Sequence, residues 1–463
     1  MKGMVFYLYF TICLLLGSCV IKDIESVNIQ QQLSDSIGSD LSLKTTDAEV
    51  ENNITFQSIF TNKDLNILIT KGLKESPSWH AKLAKLDLAI SKNGYLTDNS
   101  KPALNISTGW NPGKEKTKAT ELQTSRIPEW GTTAIYNWEL DLWGKWKERK
   151  KESAKLIEAQ QHILEGAKLK LIYSIAERWL MACFLKEDLS IVTAQIRNHH
   201  EAHILHLHKY NAGLDENISL IEMESQIKLQ VLDYNRIKRN LQTCLVQLGT
   251  LLGSPLDGNL SEIPNLSSLT LPNLPSLLPS SLLRGRPDIL ASQLTIYAHA
   301  HRVNASRLNL YPSLSLNLSG IGMSGNLSDG FEQWKFSGGP VIDLPILSPR
   351  RRTQLRIDEA SLKMISLEWK TSLLQAVKEI ETATINHRSN VEDYKISQNL
   401  VDEFMKAHEI FNLKHKAGLI SKIDLIQQIN RLNETKRTSL SYRSKYWKSF
   451  LFLSEGLGIN WLE

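Results

Sequence analysis

Two stretches of this 463-residue chain carry side chains that could do chemistry. Between positions 197 and 208, Arg-Asn-His-His-Glu-Ala-His-Ile-Leu-His-Leu-His gathers five of the twelve histidines, and His199 with His203 has the i, i+4 spacing of helical metal ligands. A pH response of the same group is a second reading. With no cysteine or carboxylate cluster beside them, a solvated helix face is the plainer one. The other stretch, Arg284-Gly-Arg-Pro-Asp, reads as a helix start, with Pro287 at the first position and Asp288 in the first turn. Asn-x-Ser/Thr triplets, as at Asn105 and Asn304, are chance. There is no Gly-rich phosphate loop, Gly-x-Ser-x-Gly, His-Glu-x-x-His or Cys-x-x-Cys. No enzyme activity and no cofactor are expected.

Composition narrows the class. The chain is 42% hydrophobic and 22% charged, enough for a large core, and its net charge of +5 comes from acids and bases mixed along the whole length. Without a concentrated basic stripe, nucleic acid is an unsuitable partner. Residues 1–18 pair a short positive head with an apolar run well under the roughly 20 residues a membrane helix needs, so they form a signal peptide. It ends in Leu16-Gly17-Ser18-Cys19, which resembles the lipobox of bacterial lipoproteins and implies cleavage before Cys19 and its acylation. By the same resemblance Val20, in place of Asp, favours the outer membrane. An ordinary signal that leaves Cys19 a free thiol is the alternative. Cys183 and Cys244 then remain, in helical context; an oxidising compartment would permit a disulfide, but one pair gives no framework, and small buried hydrophobes are the plainer reading.

The elements come in two copies. Pro77 and Pro102 stand 25 apart around a helical stretch, as do Pro287 and Pro312. After each second proline the pattern alternates with period two, predicting strands over about 102–112 and 312–323. Returning strands follow at about 132–143 and 334–346. In the first of these Tyr136, Trp138, Leu140 and Leu142 share one face, with Asn137, Glu139 and Asp141 on the other. Each returning strand leads into a stretch almost free of Pro and Gly, predicting helices over about 146–212 and 351–417, roughly 100 Å long at 1.5 Å per residue. Leu355, Leu362, Trp369, Leu373, Val377 and Ile380 mark a coiled-coil-like seam. Both helices stop at Ala-Gly-Leu, residues 212–214 and 417–419, where glycine can close a helix in the left-handed conformation, and new helices begin at about 218–252 and 423–457. The organisation is therefore a first repeat over 61–252, a Pro/Ser-rich linker over 253–282 lying outside the helices, a second repeat over 283–458 and a tail over 459–463.

Four amphipathic strands can cross an outer membrane when tilted but cannot close a barrel. Their edges must be paired by other copies of the chain, and the helices would prolong the pore as a hollow duct. Trp110, Trp130, Tyr136, Trp143, Tyr311 and Trp334, near strand ends, suit aromatic girdles, and the charged loop over 113–131 suits the cell exterior.

The order of these elements resembles the TolC-type outer membrane factors, nearest to their lipidated multidrug and metal efflux branch. The segment Leu283-Arg-Gly-Arg-Pro-Asp-Ile, the strand start Tyr311-Pro-Ser-Leu-Ser-Leu, the strand end Trp138-Glu-Leu-Asp-Leu-Trp-Gly and both Ala-Gly-Leu tips carry the likeness, over about residues 60–460. It implies a mainly α fold with a membrane β-barrel portion: a homotrimer with a twelve-stranded barrel, a periplasmic helical tunnel, and an equatorial belt to which residues 19–60 would contribute. It also implies a periplasmic adaptor protein, an inner-membrane transporter and outer-membrane lipid as partners. Tip residues Ala212, Gly213, Leu214, Ala417, Gly418 and Leu419 would dock the adaptor. Asp424 matches the first of two gate aspartates, Gln427 stands at the second, and His415 and Ile420 replace the latch tyrosine and arginine, so the latch does not carry over. A helix N-terminal carboxylate is the alternative role for Asp424. Small-molecule efflux is the function implied. The rivals are protein secretion through the same fold, and a periplasmic coiled-coil lipoprotein without a pore.

Overall fold

The computed structural model describes residues 62–110, 130–255, 263–271, 285–324 and 333–458. The signal peptide, Cys19, the N-terminal segment, most of the charged loop and the C-terminal tail lie outside them. The elements are α1 (Lys63–Glu75), α2 (Pro77–Asn99), β1 (Ala103–Trp110), β2 (Trp130–Leu140), α3 (Lys145–Asn211), α4 (Asn217–Leu252), a 3-10 turn (Leu266–Ser268), α5 (Pro287–Leu308), β3 (Ser313–Ser324), β4 (Gln333–Asp343), α6 (Pro349–Lys416) and α7 (Lys422–Gly456). No described helix is long and apolar enough to cross a membrane.

The two β-hairpins merge into one antiparallel sheet of order β1-β2-β3-β4, in which β2 and β3 join the repeats over Trp130↔Ser324 to Leu140↔Leu314. Because strand residues alternate between faces, this register collects like with like. Leu104, Tyr136 and Leu318 align, as do Ile106, Ala134, Gly320 and Phe336, and Leu316 sits between Trp138 and Pro340. The opposite face carries Asn105, Asn137, Asn317, Ser319 and Ser337. One side of the sheet is thus mainly apolar and the other mainly polar, with Ile135, Ile321, Met323 and Val341 as apolar residues on the second side. Within the described residues β1 and β4 each pair on one side only.

Two details of the expected strands change. Tyr136 is mid-strand, opposite Leu104, and not at a strand end. The strand stops at Leu140, so Asp141 and Leu142 leave the alternation: the Asp141 carboxylate accepts from the backbone N–H groups of Trp146 (3.0 Å) and Lys147 (2.9 Å), satisfying donors that the start of α3 leaves free. Trp143 instead donates its indole N–H to the Pro312 carbonyl (2.6 Å) and packs on Tyr311, tying the base of the first hairpin to the second.

α3 has 67 residues and α6 has 68, about 100 Å each. The seam of α6 runs largely by sevens, and its buried positions are Asp358, Trp369, Ala376, Ala383, His387, Tyr394, Ser397 and Val401. Of the larger apolar residues expected there, only Trp369 is buried; Leu355, Leu362, Leu373, Val377 and Ile380 are half-exposed. Small seam residues admit a close, bulky neighbour: Ala383 packs against Leu453 of α7 and Leu457 just after it. The main core gathers Leu65 and Ile69 of α1, Ile172, Ile175 and Trp179 of α3, Leu252 of α4, and Trp447 and Phe450 of α7, so it joins both repeats.

The linker does not simply run outside. Leu266, in its 3-10 turn, is fully buried in that core, a burial that contributes about 1.5–3 kcal/mol. Arg443 of α7 donates to the carbonyls of Leu266 (3.1 Å), Ser267 (3.1 Å) and Leu269, and Glu187 of α3 accepts from the Ser267 N–H (2.9 Å).

Candidate functional site at the helical tips

Both hairpins end in the same backbone motif. The Leu214 N–H donates to Lys209 O (2.9 Å) and the Gly213 N–H to Tyr210 O (2.9 Å); the Leu419 N–H donates to Lys414 O (2.9 Å) and the Gly418 N–H to His415 O (3.0 Å). These are paired 6→1 and 5→2 bonds, closed by glycines with φ of 71° and 74°. Ala212, Gly213, Leu214, Ala417, Gly418 and Leu419 are all exposed. Leu214 and Leu419 stand out at 78% and 73%.

Beyond the tips the helix starts differ. Ser421 accepts from the Asp424 N–H (3.2 Å), while the Asp424 carboxylate accepts from the Ser421 N–H (3.0 Å) and hydroxyl (2.6 Å), a complete capping box. These hydrogen bonds, led by the Ser421 hydroxyl, hold the Asp424 carboxyl below the usual carboxylate range. Within one chain Asp424 therefore has the helix-start role. Its side chain and that of Gln427, one turn on, are both exposed. His415 Nδ1 lies 3.2 Å from Ile420 O, across the turn. At the first tip Asp215 pairs with His206 (2.6 Å) and accepts from the Ser219 hydroxyl (2.9 Å), and the His206 and Ser219 bonds lower its pKa.

His199 lies within the field of Glu434 on α7, while Glu224 on α4 has its carboxyl pKa lowered first by Lys228 and to a smaller extent by His203. Burial lowers the His199 pKa. Among the described residues no group of three or more His, Cys, Asp or Glu is placed to hold a metal ion.

The contacts that tie the two hairpins together were not visible in the sequence. Arg437 of α7 forks onto Asp188 of α3, with Nη2 to Oδ2 at 3.2 Å, and reaches Asp233 of α4 at 2.6 Å. Asp233 is raised by burial, but the hydrogen bonds of Arg236 and Arg437 more than offset that and leave its pKa low. Nearer the tips Asn198 donates to Asn430 (2.9 Å) and Lys422 pairs with Glu201 (3.4 Å). At the opposite end of the second repeat, Arg286 joins Asp288 (2.8 Å), Glu379 (3.2 Å) and the Gly456 carbonyl (2.9 Å), so Arg-Pro-Asp locks the start of α5 onto α6 and α7. No local pattern announces such partners, which lie up to 249 positions away.

Among the described residues an amphipathic sheet, with β1 and β4 each paired on one side, is continuous with paired rods about 100 Å long. Comparison with known proteins agrees. Residues 68–254 and 278–458 match the outer membrane efflux protein family. The chain is 21% identical to Nodulation protein T of Rhizobium leguminosarum bv. trifolii over 421 residues, 88% of this chain and 87% of that one. It is 22% identical to the cation efflux system protein CusC of Escherichia coli O6:H1 (strain CFT073), over 88% of this chain and 89% of that one. Among solved structures, the Campylobacter jejuni CmeC outer membrane channel superposes with a TM-score of 0.76 at 19% identity, covering 91% of this chain and 92% of that one. The likeness to TolC-type outer membrane factors read from the sequence is borne out.

Proposed function

The chain belongs to the outer membrane efflux protein family, and on that premise we propose that it is the passive outer-membrane duct of a tripartite small-molecule efflux system. It is anchored by an acylated Cys19 and assembled as a homotrimer. The sheet carries the argument. Its mainly apolar face suits lipid and its mainly polar face suits water, and the sides of β1 and β4 that have no partner among the described residues call for sister subunits, three sets of four strands making twelve. The long helices continue that pore into the periplasm, toward an adaptor seated on the exposed Ala-Gly-Leu tips and an inner-membrane transporter that supplies the energy. The chain itself performs no catalytic step. Around a three-fold axis Asp424 and Gln427 would line the entrance, with His415 bracing the turn beside them, and three Asp424 carboxylates would draw cations to the constriction.

Purified trimers reconstituted in planar bilayers should conduct ions, with the preference for cations falling in Asp424→Ala. Channels that never appear, even in that variant, would overturn the reading. Cys19→Ser protein should remain integral to the membrane, whereas a poreless coiled-coil lipoprotein would be released.

A further inference from the structure

The two tips share one backbone but carry opposite charge. At the constant offset of 205 positions, Asn211 corresponds to Lys416, Glu216 to Ser421, Asn217 to Lys422, Ser219 to Asp424 and Glu222 to Gln427. Residues 209–224 hold one lysine against Asp215, Glu216, Glu222 and Glu224, a net −3. Residues 414–429 hold Lys414, Lys416 and Lys422 against Asp424, a net +2.

Part of this charge is used inside the chain: Asp215 on His206, Glu224 on Lys228, Lys422 on Glu201, and Asp424 in its capping box. Glu216 and Glu222 at the first tip and Lys416 at the second are exposed and have no ion pair among the described residues. In the sequence Glu216 follows Leu214 by two positions and Lys416 precedes Leu419 by three, and both leucines are exposed. In this kind of helix ending the residue after the glycine frequently packs on the residue five or six positions earlier, here Lys209 or His208 and Lys414 or Leu413, yet Leu214 and Leu419 remain exposed. An exposed leucine within a segment of net charge of one sign, duplicated with the sign reversed, suits a docking surface that encodes orientation.

We propose that the tips are seats of opposite polarity for the adaptor. The tip at Gly213 takes a partner loop whose apolar contact for Leu214 is flanked by lysine or arginine, and the tip at Gly418 takes one whose contact for Leu419 is flanked by aspartate or glutamate. This rests on the reading of the chain as an adaptor-coupled duct. It adds that the two seats do not accept the same partner surface, so the charges fix the rotational register of the complex.

The test uses full-length trimers from a preparation already shown to conduct, so that loss of the polarity is distinct from loss of the duct. Two synthetic helical hairpins serve as probes, identical except for Lys or Glu flanking a loop leucine, each with a photo-crosslinker beside it. The Lys probe should label peptides around Leu214 about tenfold more than those around Leu419, and the Glu probe the reverse. High salt should erase both preferences in the unmodified protein, which needs no variant to fold. In the triple variant Glu216→Lys, Glu222→Lys, Lys416→Glu the preferences should weaken at both tips. Equal labelling of the two tips by both probes, a preference indifferent to salt, or no labelling at either tip would overturn the proposal.

Discussion

Arg437 and Asp188, 249 positions apart, meet through two parallel hydrogen bonds that pin the second hairpin to the first. The Asp188 side chain is only 7% exposed. Arg437→Ala should cost about 3–5 kcal/mol, because it strands a buried carboxylate. Arg437→Lys should fall between, since an ammonium cannot reproduce the planar fork. Adding Asp188→Asn to Arg437→Ala should recover part of the loss. Melting of the detergent-solubilised protein checks the order.

Glycine matters differently at the tips and at the end of α4. A Cβ at Gly213 or Gly418 would meet nothing within 4 Å, so alanine there should cost only the left-handed strain, about 1–2 kcal/mol. At Gly253, with φ of 80°, a Cβ would lie 2.5 Å from Glu75 O and 2.9 Å from Pro77 Cδ. Gly253→Ala should therefore lower the melting temperature more than either tip variant.

His387 is buried in the seam of α6, its Nδ1 3.0 Å from the Ser449 hydroxyl, and burial holds its pKa below the ordinary 6.5. The unfolded chain thus takes up the proton first. The stability His387 contributes is complete above pH 6.5 and declines as pH falls through and below that value. His199 and His299, also lowered by burial, add to the slope. His387→Gln should flatten the fall in melting temperature between neutral and acid pH without removing it.

Cys183 and Cys244 are buried free thiols, and burial pushes both thiol pKa values up. A maleimide should leave them unmodified in the folded protein and react with both after denaturation. The mature denatured chain should then titrate two thiols if Cys19 is acylated and three if it is not, which makes mass-resolved thiol counting a direct assay of the anchor.

Most of the scaffold was legible because it depends on local rules. Period-two alternation exposed the strands, the lack of Pro and Gly exposed the long helices, and Ala-Gly-Leu exposed both tips. The misreadings arose where tertiary demand overrode pattern. Asp141 continued the strand alternation in sequence yet serves the start of α3, because unsatisfied N–H groups there needed an acceptor. Ala376, Ala383 and His387 carry no hydrophobic signal, yet they form the seam because α7 requires close approach. Helix α1 has its own cap, Asn62 accepting from Asp64 N–H (2.9 Å), but its repeat counterpart falls in the Pro/Ser-rich region, so repetition alone did not announce it. The Arg437, Arg443 and Arg286 anchors were invisible for a different reason. Each meets its partners only after distant segments have packed.

The one-sided pairing of β1 and β4 has a genetic implication. If a seam between subunits is sealed by two chains at once, a defect in either strand damages its healthy neighbours. Alleles that break those strands should be dominant in cells that also carry an intact gene, while alleles that merely prevent folding, and so never enter the ring, should be recessive.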